Sequence, residues 1–161
     1  MGLFDWLGTG TEEPEPVEPV VTPAPTAEQL QGQLDKIEET MKRPDVPTPV
    51  KARVRKITGT LRLILPRLEN LGLGSYDAYA AMATATDYLP EALRSYLRLP
   101  RQWADTRPVA GMKTSLMLLV EQLDLLDATT RNLLDAVSAR DAQALYVNGA
   151  FLQEKFRTEE P

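Results

Sequence analysis

Apolar residues recur along this chain at alternating steps of four and three from residue 27 onwards. That spacing places about one apolar side chain per turn on a single face of an α-helix. The most regular stripe keeps this register from Val50 to Leu71. The alternation of apolar and polar positions that a half-buried strand requires does not appear. The pattern predicts an all-α fold, namely an antiparallel bundle of five to six helices.

Proline and capping residues predict where the first helices begin and end. Thr26 is a good N-cap for the first helix, which is expected to end before Pro44. Pro66 falls inside the second helix, where it removes one hydrogen bond, so a kink or a restart is expected there. Gly72 and Ser75 predict the end of this helix and the start of the next, because glycine tolerates left-handed dihedral angles and serine caps free amides.

The second half of the chain follows the same rules. Leu89 precedes Pro90, which disfavours a helical conformation for Leu89, so a new helix is predicted to start at Pro90. Trp103 is the expected anchor of the connector that follows. A long helix is predicted over residues 112–139, and Asp141 is predicted to cap a separate last helix. Four tyrosines at helical spacing are predicted to be core residues: Tyr76, Tyr79, Tyr88 and Tyr96.

The first 26 residues are predicted to lie outside the helical bundle domain, which occupies residues 27–157. Residues 11–26 combine glutamates with prolines, a composition that favours extended conformations and buries no core, so a disordered acidic Pro-rich linker is expected. Residues 1–10 form an apolar tag whose side chains suit a membrane interface or an apolar groove; the alternative is an end that packs weakly. The contact residues of the tag are Leu3, Phe4, Trp6 and Leu7.

Composition excludes several kinds of chemistry. The chain has 0 cysteines and 0 histidines, so it lacks disulfides, thiolate catalysis and the most frequent general base and transition-metal ligand. No catalytic residue, cofactor or metal site is assigned. The formal net charge of -5 argues against a dedicated nucleic-acid binder. No apolar stretch reaches the roughly 18 residues of a membrane span, so we expect a cytoplasmic protein with peripheral membrane contact, at the inner face, through residues 1–7.

One predicted helix carries cations and no acidic residue between Val50 and Arg67. The functional interpretation is a surface for an anionic partner, which is a membrane, a nucleic acid, an acidic protein or the chain's own glutamate-rich linker. The alternative is an ordinary solvated helix face opposite an apolar stripe. The cations assigned to this candidate surface are Lys51, Arg53, Arg55, Lys56 and Arg62, with Arg67 at the end of the run.

Three carboxylates lie at helical spacing on the longest predicted helix, at Glu121, Asp124 and Asp127. Carboxylates at this spacing are suited to hold a hard cation or to act as an acid–base pair. The alternative is a polar stripe that faces water. Without histidine, the Glu-x-x-His element of helical di-metal sites is missing.

One part of the sequence resembles a known group of proteins. It comprises the tract Tyr88-Leu-Pro-Glu-Ala-Leu-Arg-Ser-Tyr96, the long helix with Glu121-Gln-Leu, and Phe151-Leu-Gln-Glu-Lys-Phe156. These segments resemble a group of actinobacterial helical proteins and are similar to the XpaC-type family, which is named for bromo-chloro-indolyl phosphate hydrolysis. The resemblance covers roughly residues 76–156 and implies a long helical pair. It also implies a phosphate-ester hydrolase, or a regulator of one, as the alternative function.

The residues themselves favour a different class of function. They predict a non-enzymatic helical interaction or scaffold protein, of a stress-response or envelope-associated kind, whose partner is another protein. In the hydrolase alternative, Glu121 and Asp124 would hold a metal, and Arg94 or Lys113 would contact the phosphate. Homo-oligomerisation through the four-three stripes is compatible with both interpretations.

Overall fold

The computed structural model describes residues 23–72 and 74–157. The predicted tag at residues 1–10, with its contact residues Leu3, Phe4, Trp6 and Leu7, lies outside the described residues. So does most of the predicted linker at residues 11–26. The structure describes all of the domain predicted at residues 27–157 except residue 73.

The described residues are all-α apart from one very small antiparallel sheet, which confirms the predicted fold class. The last helix is 43 residues long and is by far the longest. The helices are α1 Ala27–Thr40, α2 Thr48–Ile64, α3 Leu68–Leu71, α4 Tyr76–Ala83, α5 Leu89–Leu97, α6 Arg101–Thr106 and α7 Ser115–Arg157, and the strands are β1 Pro108–Ala110 and β2 Lys113–Thr114.

The directions of the main helices follow from contacts between them. Successive helices α1 and α2 run antiparallel. Arg62 near the end of α2 pairs with Asp35, whereas Val54 shares a concavity with Met41, just after α1. Helices α2 and α7 are not successive, and they run in the same direction. Arg53 pairs with Asp124 near the start of both, whereas Arg67, just after α2, pairs with Asp141 much further along α7.

Helix α5 lies on α7 in the opposite direction. Tyr88 shares a groove with Leu125, whereas Tyr96 shares one with Leu119, so the two helices are traversed in opposite senses. The hairpin of β1 and β2 turns the chain at Gly111, whose φ of 59° is favourable only for glycine.

The core lies where the apolar stripes of α1, α2, α4, α5 and the first half of α7 meet. The α2 stripe predicted from the sequence is confirmed, because each of its members is at most 6% exposed. Burying one such side chain stabilises the fold by about 1.5–3 kcal/mol. The members of this stripe are Val50, Val54, Ile57, Leu61, Ile64, Leu68 and Leu71.

The predicted start of α1 and the break at Pro66 are both confirmed. The Thr26 side chain accepts a hydrogen bond from the Gln29 amide, and the Gln29 side chain accepts one from the Thr26 amide. This reciprocal capping satisfies two amides that the first helical turn leaves free. At Pro66 the α-helix gives way to a single tight turn over Leu65–Arg67, as the missing amide of proline requires.

The predicted start of a helix at Pro90 agrees with α5 to within one residue, but the predicted non-helical conformation of Leu89 is wrong. Leu89 keeps helical dihedral angles (φ −67°, ψ −48°), and the chain passes from α4 to α5 through one wide π-helical turn at Thr84–Tyr88. The Leu89 amide donates to the Thr84 carbonyl, five residues back. The wide turn shifts the hydrogen-bond pattern just before Pro90, so its lack of an amide no longer ends the helix.

The predicted separation of the last two helices is also wrong. Residues 115–157 form one helix, and Asp141 lies inside it. The Asp141 carboxylate pairs with Arg67 at 3.0 Å instead of capping a new helix. No glycine or proline stands between Ala139 and Ala142, so nothing in the local sequence stops the helix there.

Two predictions about aromatic residues are wrong in large part. Of the four tyrosines, only Tyr96 is buried. Helix α4 and the π-helical turn pack instead through their alanines, which allow the backbones to approach closely. The other three tyrosines therefore face outward. Trp103 is 42% exposed, and its neighbour Ala104 fills the core position. The exposed tyrosines are Tyr76, Tyr79 and Tyr88.

Candidate interaction surfaces

Two of the α2 cations assigned to a candidate anionic-partner surface are engaged within the molecule. Arg53 pairs with Asp124 of α7, with 2.7 Å between Nε and the carboxylate. Arg62 reaches across to α1, where it contacts Asp35 at 2.6 Å and Glu38 at 3.0 Å. These two cations of α2 therefore meet carboxylates on the two helices that flank it.

Burial and charge in this cluster change the acidity of Glu38. The hydrogen bond from the Arg62 guanidinium lowers the pKa of the Glu38 carboxyl below its ordinary value of 4.5, against a smaller opposing effect of burial. The hydrogen bonds to Glu38 and Asp35 in turn raise the pKa of Arg62. Arg62 also donates to the side-chain oxygen of Gln31 at 2.7 Å, which holds the guanidinium over α1.

The other three cations of the candidate surface remain at the solvent side of α2. Arg55 and Lys56 are exposed and Lys51 is half-buried. Lys51 and Arg55 line a small concavity that also contains Glu38. This arrangement resembles the solvated helix face that the sequence offered as the alternative, with three cations left for an outside partner.

Each carboxylate of the predicted acidic trio has its own cation. Glu121 pairs with Lys113 at 2.6 Å, Asp124 with Arg53, and Asp127 with Arg131 at 3.0 Å. The three cations belong to different elements, namely β2, α2 and α7 itself. Within the described ranges, no group of three or more potential ligand side chains is arranged to hold a metal ion.

The second half of α7 extends beyond the bundle. Val137 is the last residue of this helix that is buried, and from Ser138 to Arg157 only Gly149 is even half-buried. We call residues 138–157 the α7 extension. It is about 29 Å long at 1.5 Å per residue. Six large apolar side chains of the extension are exposed by between 41% and 73%: Leu145, Tyr146, Val147, Phe151, Leu152 and Phe156.

Part of this apolar surface forms a regular stripe. Ala142, Leu145, Gly149, Leu152 and Phe156 follow steps of three and four, the heptad spacing of a helix that packs on another helix. The spacing is visible in the sequence, but the prediction was a separate helix within the bundle. The absence of a break at residue 140 was the signal that this helix continues outward.

A second surface feature is a groove between α1 and α5, which we call the α1–α5 groove. It has a volume of 390 Å³, and its floor is formed by Ile37, Leu93 and Leu97. Its rim carries four cations and, among the residues that the structure describes there, no carboxylate. The cations are Lys36, Arg43, Arg94 and Arg98.

The α1–α5 groove continues into a second concavity at the start of the described chain. Gln33 and Lys36 line both. The second concavity, of 790 Å³, is bounded on its other side by residues 23–26. Residues 23–26 therefore lie beside a concavity that adjoins the α1–α5 groove.

Comparison with known proteins gives no further identification, because no protein-family model, curated protein or solved structure matches this chain. The resemblance to the XpaC-type family therefore stays a prediction, as does the hydrolase alternative that it implies. In the part of the chain that the structure describes, every helix is too short or too polar to cross a membrane.

Proposed function

We propose that this protein is a non-enzymatic helical interaction protein that associates with a second copy of itself through the α7 extension. One observation carries the proposal. The extension presents a heptad stripe of exposed apolar side chains, and no other described residue covers it. Large contiguous apolar surfaces of this kind mark interaction sites on soluble domains.

The stripe has the shape that self-association requires. In an antiparallel pair centred near residue 147, Leu145 would face Gly149 of the second copy. Leu152 would face Ala142 of that copy, and Phe156 would face Ser138. Large side chains would then meet small ones in every layer, as close packing between helices demands.

The length of the extension fits the same arrangement. In this register, residues 138–156 of each copy overlap completely, so each helix would end where the bundle of the other copy begins. The two bundles would lie at opposite ends of the helix pair, about 27 Å apart along its axis. A symmetrical contact of this kind closes on itself and leads to a dimer.

The expected affinity is moderate. Full burial of one leucine or phenylalanine contributes about 1.5–3 kcal/mol. The free energy from burying these side chains in both copies would thus exceed an association cost of about 4–15 kcal/mol by only a small margin. The side chains are Leu145, Leu152 and Phe156. We therefore expect a dimer that dissociates on dilution.

Sedimentation velocity of the full chain over a range of concentrations tests the proposal. The wild-type protein should shift from monomer to dimer as its concentration rises. The double variant Leu145→Glu, Leu152→Glu should stay monomeric, because each copy would bring two charges into an apolar contact. The matched control is Gln143→Glu, which adds a charge on the opposite face of the same helix and should leave dimerisation unchanged. A wild-type protein that is monomeric throughout would remove the second copy as the partner.

Cysteine cross-linking tests the antiparallel direction, since the natural chain has 0 cysteines. A mixture of the single variants Ala142→Cys and Leu152→Cys should form a mixed disulfide on oxidation. Leu152→Cys alone should form little, because the two cysteines would lie far apart in the antiparallel pair. Efficient disulfide formation by Leu152→Cys alone would indicate a parallel pair and contradict the proposed register.

A further inference from the structure

The α1–α5 groove combines a cationic rim with an apolar floor. Arg43 and Arg94 have local acidic partners outside the groove, at Asp45 and Glu91. Lys36 and Arg98 are exposed, and the described residues provide neither with an acidic partner. The groove therefore offers at least two uncompensated positive charges beside a strip of apolar surface.

A ligand that suits this groove must be extended, acidic and partly apolar. Residues 11–22 of this chain have that composition. They read Thr-Glu-Glu-Pro-Glu-Pro-Val-Glu-Pro-Val-Val-Thr, with four glutamates, three prolines and three valines, and no cation. Proline-rich segments are extended before they bind and lose little conformational entropy on docking, which favours their recognition by grooves.

The position and length of this segment also fit. The described chain begins at Pro23, in the concavity that opens into the α1–α5 groove at Gln33 and Lys36. Twelve residues in a polyproline conformation span about 37 Å. The part of α1 from Gln29 to Thr40 is about 17 Å long. Residues 11–22 are therefore long enough to reach the far end of the α1–α5 groove.

We propose that the α1–α5 groove binds the acidic Pro-rich residues 11–22 of the same chain. The glutamates contact Lys36 and Arg98 at the rim, and the valines and prolines lie over Ile37 and Leu97. The basic helix α2 is the weaker candidate for this role, because its concavity at Lys51 and Arg55 also contains the Glu38 carboxylate. Residues 23–26, from which the segment starts, line the concavity beside the α1–α5 groove instead. This inference does not depend on dimerisation through the α7 extension.

Intramolecular attachment strengthens such a contact. A segment that is tethered beside its site has a high effective concentration, so the site is largely occupied even when the interaction is weak. The charges involved are exposed, so salt should weaken the contact. The bound segment would cover the groove against an acidic peptide from another protein.

Paramagnetic relaxation enhancement in the full chain tests the inference. A nitroxide is attached to Val17→Cys in the monomeric Leu145→Glu, Leu152→Glu background, so that a failure of the dimer proposal does not affect the result. Amide signals of Gln33, Thr40 and Leu97 should lose intensity several-fold more than those of the α7 extension. The loss should disappear in 1 M salt, where the Debye length is about 3 Å.

Charge reversal provides the matched variants. Lys36→Glu with Arg98→Glu should abolish the intensity loss in the groove. Lys56→Glu, an exposed cation on α2, should have no effect. Replacing Glu12, Glu13, Glu15 and Glu18 by lysine in the Lys36→Glu, Arg98→Glu variant should restore the loss, which a merely unfolded variant would not do.

Three results would overturn the inference. The first is an equal intensity loss over the whole surface, and the second is a loss concentrated at Lys51, Arg55 and Lys56 on α2. The third is a loss that appears only when nitroxide-labelled protein is mixed with isotope-labelled protein that has no nitroxide. That result would place the segment in the groove of another molecule.

Discussion

At the scale of single residues, the Arg62 cluster joins α1 to α2. Its guanidinium contacts Gln31, Asp35 and Glu38, three positions on one face of α1. The Asp35 and Glu38 side chains are 69% and 42% exposed, so solvent screens much of their attraction. The contribution of the cluster therefore comes mainly from geometry, because one planar group satisfies several acceptors at once.

Replacing Arg62 by alanine should lower the free energy of unfolding by about 1 kcal/mol at neutral pH. Because the pKa of Glu38 is lowered in the folded protein, this stabilisation is present above its ordinary value of 4.5 and is lost as pH falls through the lowered pKa. Urea unfolding of Arg62→Ala and of the wild type at several pH values should thus converge in acid. The control Arg55→Ala removes an exposed cation and should change stability by no more than about 0.5 kcal/mol. Equal losses for both variants would contradict a specific role of Arg62.

At the scale of the elements, two glycines occupy different kinds of position, one inside a helix and one at a helix end. Gly59 lies inside α2, where an added methyl group would meet no atom within 4 Å. Gly72 ends α3 with φ of +78°, a conformation that side chains with a Cβ atom disfavour. The same substitution should therefore have opposite effects at these two positions.

Gly59→Ala should raise the free energy of unfolding by about 0.5–1 kcal/mol, because alanine loses less backbone entropy in a helix. Gly72→Ala should lower it by about 1 kcal/mol or more, through strain at a positive φ. Urea unfolding of the two variants in parallel measures both effects. Destabilisation by Gly59→Ala would mean that α2 is not a regular helix at this position.

At the scale of the whole molecule, the α7 extension contacts the bundle near its start, among the contacts that the structure defines. Arg140 donates to the Leu71 carbonyl at 3.3 Å, and Asp141 pairs with Arg67. Among the contacts that the structure defines, these are the last ones along α7 that join it to the bundle. Residues beyond them contribute exposed surface to the folded monomer.

A chain that stops after Ala142 should keep the bundle and lose dimerisation. Its free energy of unfolding should agree within about 0.5 kcal/mol with that of the monomeric Leu145→Glu, Leu152→Glu variant, because no buried side chain is removed. Circular dichroism on urea titration and sedimentation velocity provide the two measurements. A truncated protein that is much less stable than the monomeric variant would show that the extension packs on the bundle.

The sequence by itself determined the helical class, the α2 stripe and the breaks at Pro44, Pro66 and Gly72. Each of these depends on interactions within one or two turns, such as the periodicity of apolar residues, a missing amide or a left-handed dihedral angle. Sequence was less informative about the candidate surfaces. It identified the α2 cations but assigned all of them to one outward surface.

Only the tertiary structure decided which neighbours these local elements meet. It placed Arg53 and Arg62 beside carboxylates of α7 and α1, buried alanines in place of three tyrosines, and carried α7 past the end of the bundle. Residues far apart in the chain make these contacts, and the relative lengths and directions of the helices determine which face of each is covered. The same spacing of apolar residues is buried in α2 and exposed in the α7 extension, because a neighbouring helix is present at the first and none of the described residues reaches the second.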